Sequence, residues 1–435
     1  ADSDIDNFGI CGNQNSLQGA IDAAGAGGTL SVPGGTYNET ATINKSLTLT
    51  GSGSVTGGVV IAADDVTVDG LSLSGRPSQK NTVIWVDGSG VRNNITISNC
   101  VIDGESDGKF AFYGSNSISG DLTFDGNEIK NIASWYVIDN TGSANTVNNK
   151  LSNVVFTNNE VHHVGGTIAF RGKFDEPMES ATISGNNMYD LCGSSCGGWI
   201  WAGIEVNNAT QVDIFDNDIK DAYSEGDGNG HALQLWSMSP WSIDIHDNTF
   251  TNNAGAIWIA TYASAAADLG APMGLQYETP SGSIYDNDLS GNSMYGLAVN
   301  DSNGGGPMDG DALFTTITGD AGPVDAANNW WGSAAGPSEG YNINATVGPW
   351  WTDAEMTTLV GQDCAGTWGG DAAADSCGVC AGGESGHVAD SDIDCNGDCF
   401  GDAFVDNCDE CSGGNSEHEA NSSDLGCGCF EAGPS

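Results

Sequence analysis

A pattern that recurs about every 30 residues constrains the fold of this chain more than any other feature of its sequence. In each copy an apolar residue is followed three positions later by an anchor, usually Asn, and two positions after that by a second apolar residue. The anchors lie at positions 71, 100, 127, 159, 186, 217, 248 and 287, separated by 29, 27, 32, 27, 31, 31 and 39 residues. Such a period predicts a solenoid whose coils stack on one another.

The anchors are predicted to be structural turns. Segments such as ITIS, VDIF and IDIH alternate apolar and polar residues as strands do, and the steps between them are polar. At a tight corner an Asn side chain can bond the backbone or the Asn of the next coil, and Asn tolerates left-handed φ values. We expect the apolar neighbours to stack in rows inside the bore. The structural anchors are Asn127, Asn159, Asn186, Asn217, Asn248 and Asn287.

Both ends of this region resemble known β-solenoids. SLQGAIDAAGAGGTLSVPGGTYNE (16–39) resembles the N-terminal entry of right-handed parallel β-helix proteins of the pectate-lyase-like type, in which a short amphipathic helix, here about 15–24, covers the first coil. NNWWGSAAGPSEG (328–340) and VGPWW (347–351) resemble a closing motif of secreted β-helix repeat proteins. The resemblance implies an all-β, right-handed parallel β-helix over 1–360 with an N-terminal capping helix. That fold hosts lyases, hydrolases, adhesins and fibres alike.

Residues 361–435 are predicted to form a second, Cys/Asp/Gly-rich module. Two tandem copies, 363–383 and 394–414, match in Cys, and they resemble short repeats near the C-termini of secreted marine-type proteins. A module this small needs disulfides in place of a core. The chain's disulfide candidates are Cys192, Cys196, Cys364, Cys377, Cys380, Cys395, Cys399, Cys408, Cys411, Cys427 and Cys429.

The charge balance excludes several classes of partner. The net charge is −48 with 10 Lys and Arg, the last of them Lys220, so nucleic acids and anionic membranes are repelled. The same balance weighs against polyanionic glycans, and no apolar run is long enough to insert into a membrane. The Cys-dense tail and a start at Ala1 typical of a cleaved product predict a secreted, extracellular or cell-surface protein. Candidate glycosylation sites are Asn38, Asn44, Asn94, Asn208, Asn300, Asn344 and Asn421.

Calcium is the predicted cofactor, and no organic cofactor is expected. DSDIDCNGD places oxygen ligands at every second position of a loop bracketed by Cys, a spacing that suits calcium. The predicted ligands are Asp390, Asp392, Asp394, Asn396 and Asp398. ADSDID at 1–6 offers a weaker second set, whereas the CxxC pairs of the tail favour disulfides over zinc in an oxidising setting.

One stretch is similar to a family of polysaccharide lyases. KLSNVVFTNNEVHHVGGTIAFRGK (150–173) resembles the segment that carries the Lys and Arg base–acid pair in the β-helical family containing chondroitinase B and alginate lyases. The resemblance implies Lys150 as the base and Arg171 as the group that stabilises the enolate. The family's acidic calcium ligands precede its Lys, but here those positions read NTVNN (145–149).

Hydrolysis would instead require paired carboxylates. Glu205, Asp213 and Asp216 fall near neighbouring strands, and NGHALQLW (229–236) is faintly similar to the Gly-His segment of polygalacturonases, whose other signatures are missing. The adjacent His162 and His163 are interpreted as surface residues. The sequence alone completes no hydrolytic set.

Aromatic residues recur on consecutive coils. If they face outward they form a platform for sugars or a subunit contact, and if they face inward they form a core ladder. The sequence leaves both alternatives open. The residues are Trp199, Trp201, Trp236, Trp241, Trp258 and Tyr295.

Taken together, these features predict a calcium-stabilised extracellular or cell-surface structural protein that self-associates into fibres or matrix. No catalytic set is complete, no basic groove awaits an acidic glycan, and an aromatic stripe and a Cys-rich tail could join subunits. The alternatives are a polysaccharide lyase that uses Lys150 and Arg171, and a glycan-binding adhesin that uses the aromatic residues on a polysaccharide partner.

Overall fold

The computed structural model describes residues 16–77, 80–115, 117–140, 150–173, 176–198, 200–222, 230–263, 278–302, 324–337 and 345–431. The chain divides into two compact units, Ala1–Thr358 and Leu359–Ser435. Among the described residues no helix has the length and apolar character required to span a membrane.

The first unit is a right-handed parallel β-helix. Successive coils add short strands to three parallel sheets. Sheet A has twelve strands: Gly28–Val32, Leu47–Gly51, Val66–Asp69, Arg92–Ser98, Ile118–Asp125, Leu151–Thr157, Met178–Ser184, Ala209–Phe215, Ser242–His246, Ser281–Tyr285, Val324–Asp325 and Ala345–Thr346. Sheet B has nine: Thr36–Tyr37, Ser54–Val55, Ser72–Leu73, Val101–Asp103, Glu128–Ile132, Glu160–Val164, Asn187–Tyr189, Asp218–Lys220 and Thr249–Thr251. Sheet C has ten: Ala41–Ile43, Val59–Ile61, Thr82–Val86, Phe110–Tyr113, Tyr136–Asp139, Thr167–Arg171, Ala202–Asn207, His231–Trp236, Gly255–Ala263 and Tyr295–Ser302.

Stacked apolar rows fill the bore, which confirms the core predicted from the repeat. In sheet A the first apolar residue of each copy pairs in register with that of the next coil, and every one of them is fully buried. Because side chains alternate across a strand, the residues between them face outward. This row comprises Val68, Ile97, Phe124, Phe156, Ile183, Ile214, Ile245 and Ile284.

A ladder of buried Asn side chains connects the coils at the turn from sheet A to sheet B. Each Nδ2 donates to the Oδ1 of the Asn one coil further on, at 2.8 to 3.0 Å. Each Nδ2 also donates to a backbone carbonyl of the preceding coil, as Asn127 does to Ile97. The six predicted anchors all belong to the ladder, and Asn329 of the NNWWG segment extends it. A shorter ladder joins Asn253 to Asn292.

The left-handed backbone lies one residue before each anchor, not at the anchor itself. Position 158 has φ of 55° and position 216 has φ of 57°, while Gly126 and Gly185 take φ of 68° and 66°. Gly, Asn and Asp are the residues that adopt this conformation at the least cost. The turn therefore divides the work, since one residue bends the chain and the next satisfies the backbone groups that the bend exposes.

The predicted capping helix forms over Leu17–Ala23, somewhat shorter than expected. Ser16 caps its first turn by accepting a hydrogen bond from the Gly19 amide. Gln18 covers the first strand of sheet C, since its Oε1 accepts from the Thr42 amide at 2.7 Å and its Nε2 donates to the Thr42 carbonyl at 3.1 Å. A side-chain amide thus occupies the edge where another strand could have paired.

The second unit is held by disulfides and by Asp side chains in place of an apolar core. Two antiparallel pairs, Ala373–Ala374 with Cys380–Ala381 and Phe404–Val405 with Cys411–Ser412, repeat along the tail. Four Asp carboxylates each accept hydrogen bonds from three backbone amides and so stabilise the turns: Asp363, Asp375, Asp394 and Asp406.

Replacing Asn186 by Ala tests the Asn ladder. The change removes the acceptor for the amide and Nδ2 of Asn159 and the donor to Asn217, all in buried surroundings. We expect Asn186→Ala to lower the free energy of unfolding by about 3 kcal/mol, measured by denaturant titration. The exposed neighbour provides the control, since Asn187→Ala should change it by less than about 0.5 kcal/mol. Equal effects would mean that the ladder does not stabilise the solenoid.

Candidate functional site

The outer face of sheet C carries polar side chains that are buried, unlike those of an ordinary solvated sheet face. Strand register places Asp139, Ala169, Glu205, Gln234 and Trp258 in one row across five coils. A second row joins Arg171, Asn207 and Trp236. All eight side chains are at most 6% exposed, so this face is the candidate site.

An arginine cluster, formed by Asp139, Arg171, Glu205 and Asn207, occupies one half of the face. Arg171 binds Glu205 with two hydrogen bonds, Nε to Oε1 at 3.1 Å and Nη2 to Oε2 at 2.9 Å. Its Nη1 reaches Asp139 Oδ1 at 3.4 Å, and Asn207 Nδ2 donates to Glu205 Oε1. The guanidinium is therefore held between two carboxylates.

The electrostatics keep Arg171 charged although it is buried. Burial on its own would lower the pKa of Arg171, but the neighbouring Glu205, Tyr136 and Asp139 hold that pKa well above its usual value. The Tyr136 ring lies 4.8 Å from the guanidinium carbon, which adds a cation–π contact. With two carboxylates beside one cation, the cluster offers little positive charge to an anionic ligand.

An aromatic cluster, formed by His231, Trp236, Trp258 and Tyr295, adjoins the other half of the face, where Gln234 is in register with Trp258. Tyr295 lies over the backbone of residue 255, where any Cβ would overlap its ring, so Gly is required there. Its hydroxyl reaches His231 Nδ1 at 2.5 Å, and the His231 and Trp258 ring centroids are 5.3 Å apart. The five side chains are at most 3% exposed.

Burial keeps both Tyr295 and His231 uncharged. Burial raises the pKa of Tyr295 well above its usual value, so the hydroxyl is neutral and can donate. Burial also lowers the pKa of His231 to about 3, so its imidazole is neutral near pH 7. Nδ1 and the Tyr295 hydroxyl share one hydrogen bond, whose direction follows the tautomer of the imidazole. The buried Nε2 of His231 has no hydrogen-bond partner among the described residues.

Gln234 is the most unusual residue of the face. It is fully buried, and neither its amide oxygen nor its amide nitrogen has a hydrogen-bond partner within the described part of the chain. Asn207 Oδ1 on the same face is unpartnered in the same sense, as is Asn208 Nδ2 in the turn that follows the strand. An unpaired buried polar group costs about 1–3 kcal/mol, so several of them on one face call for an explanation.

The aromatic residues predicted as a platform are mostly buried. Trp236, Trp258 and Tyr295 belong to the aromatic cluster, and Trp241 packs into the main core. Trp201 is only partly buried, with its ring centroid 6.1 Å from that of Trp258, and Trp199 lies outside the described residues. The stripe is therefore not an exposed platform in this structure, because sheet C holds most of its rings beneath the surface.

The predicted lyase pair is only half assembled. Arg171 lies at the centre of the arginine cluster, but Lys150 is exposed, and no contact joins the two among the described residues. The Lys150 carbonyl accepts from the Gly120 amide at 2.9 Å, next to sheet A.

The carboxylates considered for hydrolysis are also dispersed. Asp213 faces outward from sheet A between Thr182 and Asp244, and Asp216 is a left-handed turn residue, whereas Glu205 belongs to sheet C. The carboxylate that shares Arg171 with Glu205 is Asp139, which the sequence analysis did not select. His162 contacts Glu128 at 3.3 Å and His163 contacts Asp190 at 2.5 Å.

The predicted calcium ligands are engaged with protein groups. Asp390 accepts from the Ser376 amide, and Asp398 accepts from Asn396 Nδ2. Within the described residues, the cluster whose ligand atoms lie within 4.8 Å of one another is Asp406, Glu410 and His418. Three backbone amides and the Ser412 hydroxyl already satisfy Asp406, whose pKa these bonds lower to about 2. Calcium binding by the tail stays a prediction.

Disulfides form between ten of the eleven candidate Cys. The pairs are Cys192–Cys196, Cys364–Cys380, Cys377–Cys399, Cys395–Cys411 and Cys408–Cys429. The prediction is wrong for Cys427, which is free and exposed. The two Cys of each CxxC pair form disulfides with different partners. They are therefore not free to bind zinc, which requires thiolates.

The sequons differ in accessibility. Asn38, Asn44, Asn94 and Asn421 are exposed. Asn208 is fully buried and its Oδ1 accepts from the Met238 amide, so the fold has no room for a glycan there. Asn344 and the side chain of Asn300 lie outside the described residues.

Comparison with known proteins concerns the fold. A family model described as right handed beta helix region matches residues 82–268, and no curated protein matches the chain. Among solved structures, a pectin methylesterase in complex with a hexasaccharide has 13% identity and a TM-score of 0.28, covering 57% of this chain and 76% of its own. A mannuronic acid specific family 6 polysaccharide lyase from human gut microbiota has 12% identity and a TM-score of 0.30, and the match covers 70% of this chain and 75% of that one. A family 6 alginate lyase in complex with a trisaccharide has 11% identity and a TM-score of 0.27, and the match covers 86% of this chain and 88% of that one. Similarity this distant carries no information about activity.

Replacing Arg171 tests the arginine cluster. Arg171→Ala leaves Glu205 and Asp139 buried without their cation, so we expect the free energy of unfolding to fall by about 3–5 kcal/mol, measured by denaturant titration. Adding Asp139→Asn and Glu205→Gln should recover part of the loss, because no unpaired charge then stays buried. Lys150→Ala is the exposed control, with an expected change below about 0.5 kcal/mol. A similarly small effect of Arg171→Ala would contradict the ion-pair network.

The buried His231 predicts a pH dependence. Its pKa of about 3 in the fold lies below the 6.5 of an ordinary His, so the unfolded chain binds more protons between these values. The contribution of neutral His231 to the free energy of unfolding is fully present above pH 6.5. It falls by about 1.4 kcal/mol per pH unit as the pH drops towards 3. Against His231→Gln, wild type should lose an extra 2 kcal/mol or so between pH 6.5 and 5. The same comparison with His163→Gln, whose side chain is 60% exposed, should show no extra loss.

Proposed function

We propose that this chain is an extracellular carbohydrate-binding protein that recognises a glycan on the outer face of sheet C. The observation that carries the proposal is the fully buried Gln234, whose amide has no partner among the described residues, in register with Glu205 and Trp258. Sugar hydroxyls both donate and accept, so they can satisfy an amide that the protein itself leaves unpaired.

The neighbours of Gln234 support this proposal. Trp258, Trp236 and Tyr295 provide apolar ring surface beside the polar groups, a combination that suits a pyranose with its apolar faces and hydroxyl edges. His231 Nε2 adds a further hydrogen-bonding atom, and Asn207 Oδ1 adds an acceptor. The five disulfides suit an extracellular setting.

Burial determines how such a ligand would enter. The side chains of the aromatic cluster are at most 3% exposed, so a sugar reaches them only after a local change of conformation. Association that requires such a change is slower than association with a site that is already open. Assays with short contact times would therefore underestimate affinity.

A polysaccharide lyase is the second candidate, favoured by the position of Arg171 on this face. In β-elimination a base removes the proton beside the uronate carboxylate, the C–O bond to the leaving sugar breaks, and a cation stabilises the intermediate charge. Lys150 would be the base and Arg171 the stabilising group. The two carboxylates that already bind Arg171 weigh against this role. Self-association and calcium dependence stay predictions that rest on the sequence alone.

A polysaccharide screen with the full-length protein tests the proposed function. We expect affinity electrophoresis through gels containing different polysaccharides to retard wild type in at least one of them, without product formation. Tyr295→Phe, which removes only the hydroxyl that orients His231, should bind at least about tenfold more weakly, the effect of roughly one lost hydrogen bond. Tyr285→Phe on sheet A is the matched control.

Two results would contradict carbohydrate binding on sheet C. Migration unchanged in every polysaccharide would remove the proposed function. An unsaturated product that disappears in Lys150→Ala would establish the lyase in place of a binding protein.

A further inference from the structure

The outer face of sheet C is divided between charged and neutral groups, and this division restricts the glycan. The arginine cluster contains the charged side chains Asp139, Arg171 and Glu205, already paired with one another. The unpartnered atoms of Gln234 and Asn207 belong to uncharged amides. Hydrogen bonds remain available on this face, whereas positive charge does not.

The remaining cations of the chain are also engaged. Apart from Arg171, six Lys and Arg contact carboxylates: Arg76, Arg92, Lys109, Lys130, Lys173 and Lys220. Lys45 donates to two backbone carbonyls, and Lys80 lies over the Trp85 ring at 4.3 Å. Lys150 alone has no such contact among the described residues. A polyuronate would thus meet a protein of net charge −48 that has almost no cation to pair with it.

From these contacts we infer that the ligand of sheet C is an uncharged glycan, recognised through its hydroxyl groups by Gln234 and His231 beside the Trp258 ring. This inference rests on the proposed function and specifies the chemical class of the ligand. The Gln234 amide offers two donors and one acceptor, and His231 Nε2 offers one further hydrogen-bonding atom, a donor or an acceptor according to the tautomer. A site built from buried hydrogen-bonding groups rejects analogues that lack the matching hydroxyls, because its own groups are then left unpaired.

The geometry around His231 favours recognition over chemistry. The Tyr295 hydroxyl bonds Nδ1, so the imidazole ring is held in place and Nε2 is its open hydrogen-bonding atom. Tyr295 in turn has its place because Gly255 leaves room for its ring. Tyr295 is therefore a positioning residue, and Gln234 and His231 are the groups that would touch the sugar.

Equilibrium dialysis against a defined set of hexasaccharides tests this inference. The neutral probes are cellohexaose, mannohexaose, xylohexaose and chitohexaose, and the charged probes are hexamannuronate and hexagalacturonate. Long incubation allows for slow entry into a buried face. We expect the full-length protein to bind at least one neutral probe at least about tenfold more tightly than either uronate, with an affinity that hardly changes between low and high salt.

Gln234→Leu and Gln211→Leu form the matched pair of variants. Both make the same replacement, but Gln234 is fully buried on sheet C, whereas Gln211 is exposed on sheet A and bonds Asp213. Gln234→Leu should bind the neutral probe at least about tenfold more weakly. Its melting temperature should stay level or rise, because an unpaired buried amide is removed. Gln211→Leu should bind as wild type does.

Each other outcome overturns a defined part of the inference. Binding of a uronate alone, or of both classes equally, would refute the uncharged class and leave the proposed function standing. Neutral binding that survives Gln234→Leu would refute the site. Binding of none of the hexasaccharides, together with unchanged migration in every polysaccharide gel, would remove the proposed function itself.

Discussion

Backbone hydrogen bonding between successive coils is the constraint on which the solenoid depends, and the turns are where it is hardest to meet. A strand satisfies its amides with the coils on either side, but a bend turns some of them away from those partners. The Asn ladder solves this at the same corner of each coil, since Asn159 accepts from both the amide and the side chain of Asn127. A turn that is uniform from coil to coil keeps the apolar rows in register.

The candidate site is built on the same stacked coils, but its outward polar groups lack the hydrogen-bond partners that those of sheet A have. On sheet A, outward polar residues such as Asp69 are satisfied by neighbours, here Thr50, Ser98 and Asn99. On sheet C, the outward Gln234 is fully buried and has no partner among the described residues. The rigid ladder and core can carry such a cost because they stabilise the coils independently of this face.

The sequence predicts the solenoid well because its signals are local and repeated. The period, the anchors and the capping segment each depend on residues close together in the chain, and all three reappear in the structure. The site depends on residues 32 and 34 positions apart, Asp139, Arg171 and Glu205. Because the period varies between 27 and 39 residues, spacing identifies neighbouring coils but not which side chains meet. The register of sheet C is the missing information, and it also decides which aromatic residues are buried.

The first coil ends in a side chain, not a strand, and this has a consequence for how such chains change in length. Gln18 imitates a strand edge at one end, while each ladder residue further on depends only on the coils beside it. Whole coils can therefore be duplicated or deleted in the interior without rebuilding the terminus. A duplication among the first coils would lengthen the protein without changing the site. A duplication between the strands of Glu205 and Gln234 would separate the two halves of the site by the thickness of one coil.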